Sequence, residues 1–143
     1  MPCNDSGAER IKLIACHERK SRFVDYIPTM AEEYFFQEGC FITEWSNSPI
    51  DPACSIARAR VEPGKTTRWH RLQGLVERYV ILEGTGVGEV EGQSPHTLAN
   101  GDVLLIPEGK KQRITNTSTN DLIFLAICTP RFEASRYEDC ESV

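Results

Sequence analysis

From Cys40 onward the chain sets short apolar runs between turn-forming residues: CFITEW, SIARARV, TTRWHRL, ERYVILEG, GVGEVEG, DVLLIP, QRITN and LIFLAICT are broken by Gly, Pro, Asn and Asp. Runs of that length at that spacing are strand signals. Two of them alternate with period 2. Ile56, Arg58 and Arg60 interleave with Ala57, Ala59 and Val61, and Glu77, Tyr79 and Ile81 interleave with Arg78, Val80 and Leu82. Such alternation predicts half-buried strands, and many of them in succession predict an antiparallel sandwich or barrel. The first 38 residues differ, because charged residues mix with aromatics and Pro28 interrupts the segment. The run TMAEEYFFQEG that follows predicts a short helix, with Thr29 as N-cap, acids in the first turn and Gly39 as its stop. The expected organisation is an N-terminal arm with one short helix over 1–38, a barrel over 39–132, and a polar tail over 133–143.

Composition narrows the class. A length of 143 residues suits one domain. With 40% hydrophobic and 26% charged residues, the chain is neither collagen-like nor disordered in composition. Sixteen Lys and Arg against 21 Asp and Glu give a formal charge of −5, which argues against nucleic-acid binding. Six cysteines (Cys3, Cys16, Cys40, Cys54, Cys128 and Cys140) form no C-x-x-C pair, so they read as reduced thiols in a cytoplasmic protein. No apolar stretch approaches the ~20 residues of a membrane helix, and the N-terminal residues carry no apolar signal core. The expected partners are a small-molecule ligand or substrate and a second copy of the chain, with no nucleic acid and no membrane. The homodimer is expected because CFITEW and Tyr34-Phe35-Phe36 offer apolar surface that a small barrel does not bury alone.

Two segments carry a family resemblance. The first, GKTTRWHRLQGLVERYVILEG, runs from Gly64 through His70, Leu72 and Glu77 to Gly84; the second, GDVLLIPEGKKQRITN, holds Gly101, Pro107, Gly109, Gln112 and Asn116. Their spacing resembles the paired motifs of the cupin superfamily, with 16 residues between Gly84 and Gly101 as in compact single-domain members. The resemblance implies an all-β fold, the antiparallel double-stranded β-helix or jelly-roll barrel, behind a short helical arm. It also implies a metal site, at which two of the usual His ligands are replaced, by Leu72 and Gln112.

His70, Glu77 and Gln112 are therefore the candidate ligands of one divalent ion (Fe, Mn, Ni or Zn), and selectivity should drift toward harder ions with only one imidazole present. Cys128 or Tyr79 would add a ligand if its strand phase turned it inward. The competing reading of the same residues is a metal-free polar pocket, in which His70 and Glu77 hydrogen-bond and Gln112 completes the network. Tyr79, Arg60 and Arg68 are the candidate substrate contacts, Arg fitting a carboxylate or phosphate. For the arginines, which include Arg58 and Arg113, the alternative is cross-strand ion pairing on the outer face with Glu62, Glu83 or Glu89. Trp45 and Trp69 read as packing residues, and His17 and His96 as solvated. The expected function is a metal-dependent enzyme acting on a polar organic substrate, of isomerase, lyase, cyclase or dioxygenase type. The alternative is a non-catalytic small-ligand-binding or sensor protein.

Overall fold

A computed structural model describes residues 31–141. Eleven strands account for most of them: β1 (Tyr34–Phe36), β2 (Cys40–Ser46), β3 (Ser55–Val61), β4 (His70–Leu72), β5 (Val76–Glu83), β6 (Gly86–Val90), β7 (His96–Leu98), β8 (Val103–Ile106), β9 (Gln112–Asn116), β10 (Leu122–Thr129) and β11 (Tyr137–Asp139). A 3-10 turn, Ala134–Arg136, precedes β11. The strands form a six-stranded sheet ordered β1-β2-β3-β10-β5-β8 and a five-stranded sheet ordered β11-β4-β9-β6-β7, and every pairing is antiparallel. The fold is the all-β antiparallel barrel that the alternating runs predict. No helix among the described residues is long and apolar enough to cross a membrane.

The alternation read from the sequence sets which residues face inward. On β5, Glu77, Tyr79 and Ile81 are buried while Arg78, Val80 and Leu82 are half-exposed; on β9, Gln112, Ile114 and Asn116 are buried between half-exposed neighbours. Val61, Ile81, Ile114, Leu122 and Phe124 form the apolar centre. A smaller cluster of Leu72, Leu75 and Cys128 packs against Phe132 and Tyr137. The motif residue Asn116 is structural: its amide donates to the carbonyls of Val61 and Asn120 at 2.8 Å each, and its Oδ1 accepts from the Ser118 amide at 2.8 Å. One buried side chain thus satisfies the turn between β9 and β10.

Both ends depart from expectation. The run expected as a helix forms, from residue 31 onward, the strand β1 and a turn over 37–39 closed by a 2.9 Å bond from the Gly39 N–H to the Phe36 carbonyl. Pairing of Tyr34 with Ile42 and Phe36 with Cys40 outweighs the local helix signal, and Gly39 takes the left-handed φ of +100° that the turn needs. Residues 1–30, with Thr29, His17, Cys3 and Cys16, lie outside the described residues. The stretch expected as a polar tail instead supplies β11, which pairs with β4 through Tyr137 to Leu72 and Asp139 to His70. Its pairing needs only backbone groups, so polar side chains do not oppose it.

Candidate functional site

His70 and Gln112 face each other across the β4–β9 pair, and Glu77 sits opposite Cys128 across β5–β10, so the two sheets present these four side chains to the barrel interior from opposite sides. All four are buried. Gln112 Nε2 donates to Glu77 Oε1 at 2.7 Å, and the Cys128 thiol donates to Glu77 Oε2 at 3.4 Å. Of the sequence-derived trio, Gln112 and Glu77 bond to each other, whereas His70 is bound elsewhere and not to Glu77 as the polar-pocket reading expects. Its Nε2 lies 2.9 Å from Oε2 of Glu38, and its Nδ1 lies 2.7 Å from the backbone carbonyl of Arg68. Glu38 is carried on the β1–β2 turn, where its own carbonyl accepts the Arg68 N–H at 2.7 Å and its Oε1 accepts the Cys40 thiol at 3.0 Å. The His70 ring stacks on Tyr137 of β11, centroids 5.4 Å apart.

Electrostatics follow from burial and pairing. Burial alone pushes His70 toward its neutral form, but the Glu38 carboxylate beside it outweighs that and raises its pKa to about 9. Burial likewise opposes ionisation of Glu38, and the charge and hydrogen bond of His70 hold it below the usual carboxylate value. His70 is therefore an imidazolium at neutral pH, donating from both nitrogens. Glu77 moves the other way: burial and the nearby Glu38 charge raise it. The Cys128 thiol is pushed up by burial and by Glu77, and stays protonated. Two acidic side chains and one imidazole thus share a cavity with their proton affinities driven apart, the arrangement by which one site separates an acid from a base.

A divalent ion needs free lone pairs; as placed, His70 offers none, whereas the amide oxygen of Gln112 stays open. Both His70 nitrogens already donate, the Gln112 amide nitrogen is committed to Glu77, and Leu72 presents an apolar side chain where the related motif has an imidazole. Among the described residues no three His, Cys, Asp or Glu side chains come together as a metal cluster. Among the described residues two buried side-chain polar atoms lack a hydrogen-bond partner, Gln112 Oε1 and the Tyr137 hydroxyl.

The cavity measures about 60 Å³ and is walled by His70, Leu72, Glu77, Tyr79, Cys128 and Tyr137 among others. Tyr79 lies in it as expected, packed on Phe124 with centroids 4.4 Å apart. Arg60 and Arg68 do not line it. Arg60 is held outside by Glu33 at 2.6 Å and Asp121 at 3.4 Å and lies over the Phe41 ring, while Arg68 pairs with Asp139 at 3.0 Å. Arg58 also pairs with Glu33, and Arg113 pairs with Glu89 over the Trp69 ring. Strand parity explains this: Arg58 and Arg60 interleave with Ala57, Ala59 and Val61, whose side chains face the interior. Arg68 shares the parity of His70 but precedes β4, so regular alternation does not reach it. His96 is exposed and bonds Gln93. Cys40, Cys54, Cys128 and Cys140 are free thiols.

Sequence reasoning missed Glu38 and Tyr137. A signal for Glu38 existed, since YFF and CFI are apolar runs separated by three residues ending in Gly, a hairpin pattern. No comparable signal marks Tyr137.

The family described as Cupin domain matches residues 57–128. A curated relative, the oxalate-binding protein of Thermotoga maritima, is 38% identical over 72 residues, covering 50% of this chain and 59% of that protein, so the chain spans about three fifths of the relative's length. Among solved structures, a predicted oxalate decarboxylase from Thermotoga maritima is 25% identical with a TM-score of 0.63, covering 73% of this chain and 98% of that one. Streptomyces Pac13, described as a nucleoside dehydratase, superposes with a TM-score of 0.67 at 16% identity over 85% of this chain and 93% of its own. KdgF from Halomonas superposes at 0.64 with 15% identity, covering 75% and 94% of the two chains. The last two likenesses establish the fold alone.

Proposed function

Because the chain belongs to the cupin domain family, whose match spans residues 57–128, we propose that its barrel interior is a small-molecule site and that it works as an enzyme of lyase or isomerase type, moving protons with its own side chains. One observation carries this reading: the His70–Glu38 pair at 2.9 Å shares a cavity with Glu77, whose proton affinity burial has raised. His70, charged and oriented by Glu38, is the acid that protonates a leaving or carbonyl oxygen. Glu77 in its ionised form is the base that accepts a C–H proton, and burial brings its pKa nearer the working range. Cys128 and Gln112 hold that carboxyl in place through their donated hydrogen bonds. Pac13, described as a nucleoside dehydratase, is a precedent for lyase chemistry on this scaffold. The enzyme is proposed to act as a cytoplasmic homodimer.

The test is solvent exchange. A panel of small hydroxy and carbonyl compounds is incubated with the protein in D2O and followed by NMR. At least one member should lose water or gain deuterium at carbon, at a rate that falls by about 10²–10⁴ in both His70→Gln and Glu77→Gln. Binding without exchange anywhere in the panel would favour the second reading, non-catalytic capture of a small ligand, which has its support in the relative named for oxalate binding.

A further inference from the structure

The walls of the cavity are strongly biased in charge. Three carboxylates line it, Glu38, Glu44 and Glu77, and apart from His70 no basic side chain does so among the described residues. His70 is matched by Glu38, so that pair is neutral as a unit. Glu77 and the half-buried Glu44 are met by neutral donors: Glu77 by the Gln112 amide and the Cys128 thiol, Glu44 by the Asn47 amide at 3.4 Å. Arg131 bonds Asn47 at 2.9 Å, but its charge is turned to Glu133 and it is not part of the cavity wall.

The remaining surface is aromatic and aliphatic. Tyr34, Phe36, Tyr79, Phe124, Phe132 and Tyr137 all contribute rings. The face of an aromatic ring carries negative potential and attracts a cation, most strongly where water is excluded. Two buried oxygens of this site lack partners, the Tyr137 hydroxyl in the wall and the amide oxygen of Gln112, whose nitrogen bonds Glu77. Both accept a hydrogen bond, and an N–H-rich ligand supplies what they lack. A carboxylate entering the same space meets like charges in a medium of low polarisability, with no guanidinium or ammonium to receive it.

We propose that the ligand of this cavity is a small organic cation, an ammonium group carried on an apolar body, and not a carboxylate such as oxalate; this deepens, and rests on, the reading of the barrel interior as a small-molecule site. The apolar body packs among the rings, and the carboxylates of the wall, Glu77 and Glu44, draw the ammonium.

The experiment compares probes that share one tail. Butylammonium, 1-butanol and butyrate, with oxalate as a fourth, are titrated into the full chain at pH 7, where the amine is fully protonated, and followed by calorimetry and backbone amide NMR. Butylammonium should bind about tenfold or more tightly than butyrate, with 1-butanol between them, and its shift changes should centre on Ala57, Ala59 and Ala126, which line the cavity. Glu44→Gln should weaken the ammonium several-fold and leave 1-butanol unchanged. The proposal is overturned if butyrate or oxalate binds as tightly as the amine, if the amine does not bind, or if its shifts map to the acidic outer surface. Failure of the acid–base reading looks different: His70 would titrate near its ordinary value while the ammonium preference persisted. Failure of the present proposal would leave His70 titrating near 9 and the charge preference absent or reversed.

Discussion

His70 keeps at neutral pH a proton that an isolated imidazole sheds, and the sign of that shift fixes how stability follows pH. Its pKa rises from an ordinary 6.5 to about 9 in the folded protein, so its contribution is full below 6.5 and is lost as pH climbs through about 9. Glu38 is depressed, so its contribution is present above its ordinary 4.5 and is lost as pH falls through its lowered value. The pair therefore stabilises the fold most at mildly acidic to neutral pH. Urea denaturation across the alkaline range should show a loss on the order of 3 kcal/mol, which Glu38→Gln largely removes. In that variant, NMR titration should find His70 at or below its ordinary value, because burial then acts with little opposition. The same pairing makes a prediction about metals. The parent protein dialysed against zinc should retain well under one equivalent, because His70 has no lone pair to offer; Gln112→His combined with Glu38→Gln supplies two free imidazoles and should retain more. Stoichiometric zinc in the parent would show that the His70–Glu38 contact yields readily to a metal.

Among the elements, β6 shows how tightly the barrel constrains sequence. A Cβ on Gly88 would lie 2.6 Å from a Leu104 methyl and 3.0 Å from one of Leu98, both ends of flexible side chains; on Gly86 it would lie 2.6 Å from the Thr115 backbone oxygen. Side chains can shift and the paired β9 backbone cannot. Gly86→Ala should thus cost more than Gly88→Ala, with the latter near 1–3 kcal/mol by urea titration. The β1–β2 turn offers a second test, since Gly39→Ala strains the φ of +100° and displaces the adjacent Glu38. The His70 pKa should fall in that variant although the substitution touches no titrating group. Strands such as β5 and β9 were legible in the sequence because one face is buried and one wetted, which writes period 2 into the residues. The elements at the ends were not. β1 is three residues long, too short to establish a period, and β11 is held by backbone pairing that leaves its side chains Tyr137, Glu138 and Asp139 unconstrained in pattern.

At the scale of the whole molecule, apolar side chains stand exposed on both edges of the six-stranded sheet: Phe35 at 63% on β1, and Val103 at 59% and Leu105 at 53% on β8. An open edge with outward-facing Val and Leu favours self-association. Light scattering at micromolar concentration should report a dimer, and Leu105→Glu should shift it toward monomer; an unchanged mass in that variant would move the interface away from β8. The candidate site was half legible for a related reason. His70, Glu77 and Gln112 lie within the motif pair and could be named from spacing, whereas Glu38 and Tyr137 reach them only because the chain returns from both ends to close the barrel. That closure has a consequence during synthesis. Glu38 leaves the ribosome before Tyr137 and must wait for it, about a hundred residues later, before the pocket has all its walls; at 5–20 residues per second that is several seconds or more. The nascent chain therefore carries an unfinished pocket throughout that interval, and a ligand can reward folding only after β11 has cleared the exit tunnel.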